Sequence, residues 1–170
     1  MKRGLLLTMT EPPPHMEEEF NAWYDDEHMA ERLAVPGFRS ARRWVADLPP
    51  GEGKYLATYE LDSAAVLTSP AYLARLNNPT PWSKRCLDAC VLFRRWACEQ
   101  TDPGDTDPNP AVQALLLLLG DTTSAQTIPG VLQRRHFHDS KGEPPQAVLY
   151  ELAAPVAAPN GLRLYRAYLR

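Results

Sequence analysis

The 170-residue sequence predicts an α+β fold: a ferredoxin-like β-α-β-β-α-β unit joined to a degenerate, helix-poor, four-stranded repeat of itself. Together the two would form one α/β-barrel-like domain. Three observations carry this expectation. Segments of the first half recur in order in the second, the gaps between expected strands are helix-sized only in the first half, and two of the strands are continuously apolar.

The recurrence is sought first because a missed repeat misassigns the whole fold. Residues 4–10 (GLLLTMT) are similar to 114–120 (ALLLLLG), and 35–44 (VPGFRSARRW) to 128–137 (IPGVLQRRHF). Residues 56–61 (LATYEL) are similar to 147–152 (AVLYEL), and 92–96 (LFRRW) to 164–168 (LYRAY). Residues 1–100 then form the first unit and 111–170 the second, packing on it. Between them, 101–110 (TDPGDTDPNP) reads as a linker, since its Pro, Gly and Asp form turns but bury nothing. Residues 16–34 and 63–76 are long enough for helices. The matching gaps, 121–127 and 153–159, hold no more than a turn. The runs GLLLTMT and ALLLLLG suit strands covered on both faces, by helices on one side and the second sheet on the other.

Composition narrows the function. Lys+Arg 18 against Asp+Glu 21 leaves a net charge of -3, which argues against nucleic acid as a partner. No stretch approaches the ~20 apolar residues of a membrane span. The opening MKRGLLLTMT has the charges of a signal peptide, but its apolar stretch is short and Glu11 and three prolines follow. It reads as a first strand. Three scattered cysteines make no disulfide framework, which points to a reducing cytoplasm. Cys86, Cys90, Cys98, His136 and His138 lack zinc-knuckle spacing, so no metal is expected. Phosphate loops, nucleophile elbows and EF-hand patterns are absent, and no cofactor is expected.

The chemistry concentrates in residues 16–34, MEEEFNAWYDDEHMAERLA. Met16, Phe20, Trp23, Ala30 and Ala34 form an apolar stripe at helical spacing, interrupted by Glu27. Beside it lie Tyr24, His28 and Arg32, four residues apart, with Asp25 three before His28. Such offsets make neighbours on a helix surface. His28 is the candidate general acid/base, since an imidazole near pKa ~6.5 exchanges protons at neutral pH. Tyr24 and Asp25 would orient it. The alternative is a hydrogen-bonded structural histidine. Glu27 is a second candidate acid/base, with a raised pKa if it is buried on the stripe. Otherwise the helix breaks there and Glu27 faces water. Phe20, Trp23, Trp44 and Trp82 are expected to shape a pocket, Trp82 from the proline-pinned stretch 77–85 (NNPTPWSKR) at its mouth.

Arginine clusters in the expected second and fourth strands of both halves: Arg39, Arg42, Arg43, Arg94, Arg95, Arg134, Arg135, Arg163, Arg166 and Arg170. Alternation puts Phe38, Ser40, Arg42 and Trp44 on one face, and Arg39, Ala41, Arg43 and Val45 on the other. One reading of the set is an anion clamp, with Arg42 as its substrate-binding candidate, because a guanidinium holds a carboxylate as a fork. A salt-bridge lattice with the acids of residues 16–34 is the favoured reading of the set.

The stretch FNAWYDDEHMAERLAVPGFRSARRW resembles the signature of the dimeric α/β-barrel superfamily, its EthD-like branch in particular. The resemblance lies in Trp23-Tyr24, in His28 four residues later, and in Pro36-Gly37-Phe38 entering the second strand. It covers about the first 100 residues. It implies a ferredoxin-like unit and an activity among lyases, isomerases and cofactor-free oxygenases, or none. Related barrels bind haem, which the acidic surroundings of His28 disfavour here. The second unit has no counterpart of Trp23, Tyr24 or His28, so one complete site per chain is expected. The leading expectation is a small-molecule-binding protein, acting as a cofactor-independent lyase, isomerase or oxygenase on a small carbonyl or aromatic metabolite. The alternative is a non-catalytic ligand-binding or assembly module, for which a homodimer is one form. A cavity reaching His28 favours the first reading, and a filled barrel interior the second.

Overall fold

In the computed structural model, which describes residues 1–121 and 127–169, eight strands close into one antiparallel barrel. They are β1 (Gly4–Glu11), β2 (Phe38–Val45), β3 (Tyr55–Leu61), β4 (Leu92–Asp102), β5 (Ala114–Leu119), β6 (Val131–His138), β7 (Gln146–Leu152) and β8 (Arg163–Ala167). Their order around the barrel is β1-β3-β2-β8-β5-β7-β6-β4. Each half thus contributes a quartet in the same order: β4-β1-β3-β2 and β8-β5-β7-β6. The seams are short, Trp44↔Ala167 and Val45↔Arg166 on one side and Glu99↔His138 to Asp102↔His136 on the other.

The quartets also share an irregularity. Against β3, β2 shifts register between Phe38 and Ser40, and against β7, β6 shifts between Val131 and Gln133. Gly37 (φ 94°) and Gly130 (φ 78°) enter these strands in the left-handed region that favours glycine. The bulge overturns part of the expected alternation. An extra residue turns Phe38 onto the outer face with Ala41 and Val45, away from Trp44.

β1 is buried on both faces, as its apolar run requires. Leu5, Leu7 and Met9 join Trp44, Trp96, Phe137 and Tyr165 to fill the interior. The space left there is about 10 Å³, room for one water at most. A buried ionic cluster crosses this core. Arg135 donates from Nη1 and Nη2 to Glu60 at 2.9 Å each, and from Nε to Glu151 at 2.7 Å. Charges so far from water persist only when paired and hydrogen-bonded, as these are.

The outer face of the first quartet is covered by helices: a 3-10 turn (Pro14–Met16), α1 (Glu17–Trp23), a π turn (Tyr24–His28) and α2 (Met29–Leu33) after β1. A 3-10 turn (Ala64–Thr68), α3 (Pro70–Asn77) and α4 (Pro81–Ala89) follow β3. One helix was expected over 63–76 and a pinned loop over 77–85, so α4 is a correction. Ser69 and Thr80 each accept a backbone N–H, from Tyr72 and Ser83, and a proline follows each cap. Proline at the first helical position costs no hydrogen bond, so NNPTP starts a helix instead of interrupting one.

Among the described residues the second half has no helix. Leu162, Val156 and Ile128 cover the outer face of Ala114, Leu116, Val148 and Tyr150 instead. The gap expected to hold a turn at 121–127 lies mostly outside the described residues, and so does Arg170. Residues 101–110, expected to bury nothing, cross one end of the barrel. The Asn109 N–H donates to Glu151 Oε2 at 2.7 Å, Gln133 Nε2 donates to the Asp107 carbonyl at 2.8 Å, and Gln100 Oε1 accepts from the Gly104 and Thr106 amides. The segment is itself largely exposed, and one of its amides, that of Asn109, helps to satisfy the buried Glu151.

Candidate functional site

The helix between β1 and β2 departs from α geometry over Tyr24–His28, the residues singled out by spacing. A π turn holds one residue more than an α turn and rotates the helix face after it; such turns concentrate at functional sites. The buried face accordingly runs through Phe20, Trp23, Tyr24 and His28, while Ala30 and Ala34, expected on the apolar stripe, are exposed. Tyr24 and His28 belong to the buried face and do not lie beside it. Their rings are 5.1 Å apart, edge to face, and the Trp23 ring lies 4.3 Å from that of His28.

His28 is only 6% exposed, under the helix and against the outer face of β1 and β3. Burial, followed by the charges of Arg32 and Arg43, lowers its pKa to about 3. The imidazole is neutral at physiological pH. Its Nδ1 is buried without a hydrogen-bond partner, as is the Tyr59 hydroxyl on β3. Burial raises Tyr59 well above the usual phenol, and the nearby Tyr24 hydroxyl, outside hydrogen-bond geometry, adds to this. Tyr24 Oη and Thr8 Oγ1 are 3.4 Å apart. All four residues line a crevice of about 60 Å³, together with Leu6, Arg32, Tyr72, Leu76, Leu87, Phe93 and Arg95.

The other expected site residues go elsewhere. Asp25 pairs with Arg43 at 3.0 Å and anchors the helix to β2 instead of orienting His28. The Arg43 guanidinium also lies 4.4 Å from the Tyr24 ring and 4.1 Å from that of Tyr168. Glu27 is half-buried and accepts hydrogen bonds from Thr80 Oγ1 and from Ser83 Oγ (3.4 Å), so it holds the start of α4. It neither lies on a buried stripe nor faces water freely. Arg42 and Trp44 point into the barrel, where Arg42 donates to the Val112 carbonyl at 3.0 Å. The sheet separates them from His28, so neither the anion clamp nor the Trp44 wall is at this crevice. Trp82 packs among the helices and not at the mouth, because its stretch is helical. Phe20 and Trp23 are core, and Trp23 Nε1 donates to Ser83 Oγ at 3.0 Å.

Tyr59 and Tyr72 carry no sequence signal for a site, and Arg95 is marked only as one of the ten clustered strand arginines. The only available signal was period-two alternation, and β3 is buried at every position, so alternation could not single out Tyr59. Among the described residues no group of three His, Cys, Asp or Glu could hold a metal. Burial raises the thiols of Cys86 and Cys90 to about 11 and of Cys98 to about 12, which leaves no activated nucleophile among them. At about 60 Å³ this crevice is far smaller than a haem macrocycle.

No protein-family model matches the sequence, and none of the curated proteins matches it. The backbone is similar to that of a chlorite dismutase-like protein, with a TM-score of 0.56, 7% identity, and 99% of this chain and 95% of that chain covered. It is also similar to an anthrone oxidase-like protein, with a TM-score of 0.53, 10% identity, and 99% and 92% covered. The likeness is one of fold, here a closed eight-stranded antiparallel barrel with helices over one quartet. In this α/β barrel one chain supplies both quartets, and the crevice lies outside the barrel, between sheet and helices. No helix of the described residues is long and apolar enough to cross a membrane.

Proposed function

We propose that this protein binds a small molecule in the crevice beneath the π turn and transforms it without a cofactor, as a lyase, isomerase or oxygenase. The observation that carries this is the pair of buried, unpartnered polar groups, His28 Nδ1 and Tyr59 Oη, on residues lining one cavity. A buried polar group without a partner costs about 1–3 kcal/mol, a cost that a ligand hydrogen bond removes. A neutral imidazole accepts or donates one hydrogen bond, and two hydroxyls beside it can hold a carbonyl or phenol oxygen. His28 would receive the substrate's proton, its affinity for that proton rising as charge develops on the ligand.

We further take the chain to be a fused pair of related ferredoxin-like units of the EthD-like kind, working in a reducing cytoplasm. The matched strand order, bulges and glycines support the fusion, and the Trp23-Tyr24, His28 and Pro36-Gly37-Phe38 pattern supports the branch. A second reading, binding without chemistry, is favoured by the filled barrel interior and by the low pKa of His28, which makes it a weak base in the empty crevice. In its assembly form this reading includes a homodimer, which native mass spectrometry of the purified chain would detect.

The test is a thermal-shift panel of hydroxylated benzaldehydes and benzoates on the wild type, His28→Phe and Tyr59→Phe. At least one compound is expected to raise the wild-type Tm, and both variants to lose that shift while melting no lower than the wild type. Equal shifts in all three proteins would refute the site. Chromatography of the binding compound after incubation separates turnover from binding alone.

A further inference from the structure

The crevice has an electrostatic character that the whole chain lacks. The protein carries a net charge of -3, yet no Asp or Glu lines the cavity, while Arg32 and Arg95 do. The two guanidiniums come from different elements, α2 and β4, and converge on one ring: they lie 5.6 and 6.0 Å from the centroid of Tyr72. Arg95 donates to the Tyr72 hydroxyl at 3.1 Å. Neither makes a salt bridge among the described residues, although Arg39, Arg43, Arg85 and Arg135 each have a carboxylate partner. With His28 neutral, the crevice holds two positive charges and hydroxyl donors and no balancing anion.

Resting on the binding reading above, we propose that the crevice selects an organic carboxylate with a flat apolar body, its anionic head between Arg32 and Arg95. The size agrees. About 60 Å³ is well below the ~150 Å³ of a cavity that takes a benzene ring, so the crevice holds a few waters, or a carboxylate head in their place, but not a whole aromatic acid. The body must therefore emerge at the mouth, where Leu76 and Phe93 are 43% and 50% exposed. Planar forks match a carboxylate in a way that no point charge does. A carboxylate beside His28 would also offset the repulsion that Arg32 and Arg43 exert on its proton, so binding and protonation of His28 would be coupled.

The experiment is a calorimetric titration of the full chain with benzoate and with its neutral isostere benzamide. It would be repeated on Arg32→Gln, Arg95→Gln and Tyr59→Phe, each checked for folding by circular dichroism. Benzoate is expected to bind at least ~10-fold more tightly than benzamide, a difference of about 1.4 kcal/mol. Each arginine variant should remove most of that preference while still binding benzamide, and added salt should weaken benzoate alone. Benzamide binding as well as benzoate, with Tyr59→Phe weakening both, would overturn the carboxylate inference and leave the crevice as the binding site. Benzoate binding unchanged in all three variants would overturn both, and so would no binding of either probe.

Discussion

His28 has no use for a proton while the crevice is empty, because burial and two guanidiniums oppose the charge. Its folded pKa of about 3 lies below the ordinary ~6.5 of an unfolded chain. Below pH 6.5 the unfolded chain therefore takes up a proton that the folded one refuses. Stability is intact above that pH and falls as the pH drops toward 3, by about 1.4 kcal/mol per pH unit from this residue. Urea melts of wild type and His28→Phe between pH 4 and 7 should diverge with that slope on the acid side. A constant difference would mean that His28 titrates as an exposed histidine. At this scale the four-residue offset of Tyr24 and His28 predicts adjacent side chains, and their rings lie 5.1 Å apart. The sequence was misleading for Asp25 and Glu27. Both are near His28 along the helix, but each is drawn to a stronger partner across the fold, Arg43 on β2 and the cap of α4.

At the scale of elements, two short irregularities decide what faces the crevice. The π turn rotates Tyr24 and His28 inward, and the bulge after Gly37 turns Phe38 onto the same side. Gly37 and Gly130 occupy equivalent entries into β2 and β6, and their surroundings differ. A Cβ on Gly37 would meet Val66 Cγ2 at 2.5 Å, whereas one on Gly130 meets nothing within 4 Å. Both need positive φ, so alanine is strained at either, by about 1 kcal/mol or more. Gly37→Ala should lower stability by about 1–3 kcal/mol beyond Gly130→Ala, because Val66 must also repack. Equilibrium denaturation of the two variants checks this, and equal losses would show that Val66 moves without cost. The matching glycines were legible as Pro-Gly pairs. The bulges were not, since no residue type marks the extra position.

For the whole molecule, the cluster of Glu60, Arg135 and Glu151 ties the first quartet to the second through the barrel core. Replacing Arg135 by Met leaves two buried carboxylates facing each other and should cost about 3–5 kcal/mol. Changing Glu60 and Glu151 to Gln in the same chain should restore much of the loss. If the halves are one cooperative unit, fluorescence and far-UV dichroism of Arg135→Met should still report one coincident transition. Two transitions would mean that the quartets melt separately.

The strand content and the presence of a helical segment after β1 follow from local chemistry, and the sequence by itself determined them. Apolar runs demand burial on both faces, and prolines and glycines mark turns wherever they stand. Which face of β2, that of Arg42 and Trp44 or that of Arg43, turns into the barrel was decided only by the tertiary structure. So was the hydrogen bonding of 101–110 to Glu151, Gln100 and Gln133. The physical reason is that a strand has period two and a helix period 3.6, so one inserted residue sends every later side chain to another face.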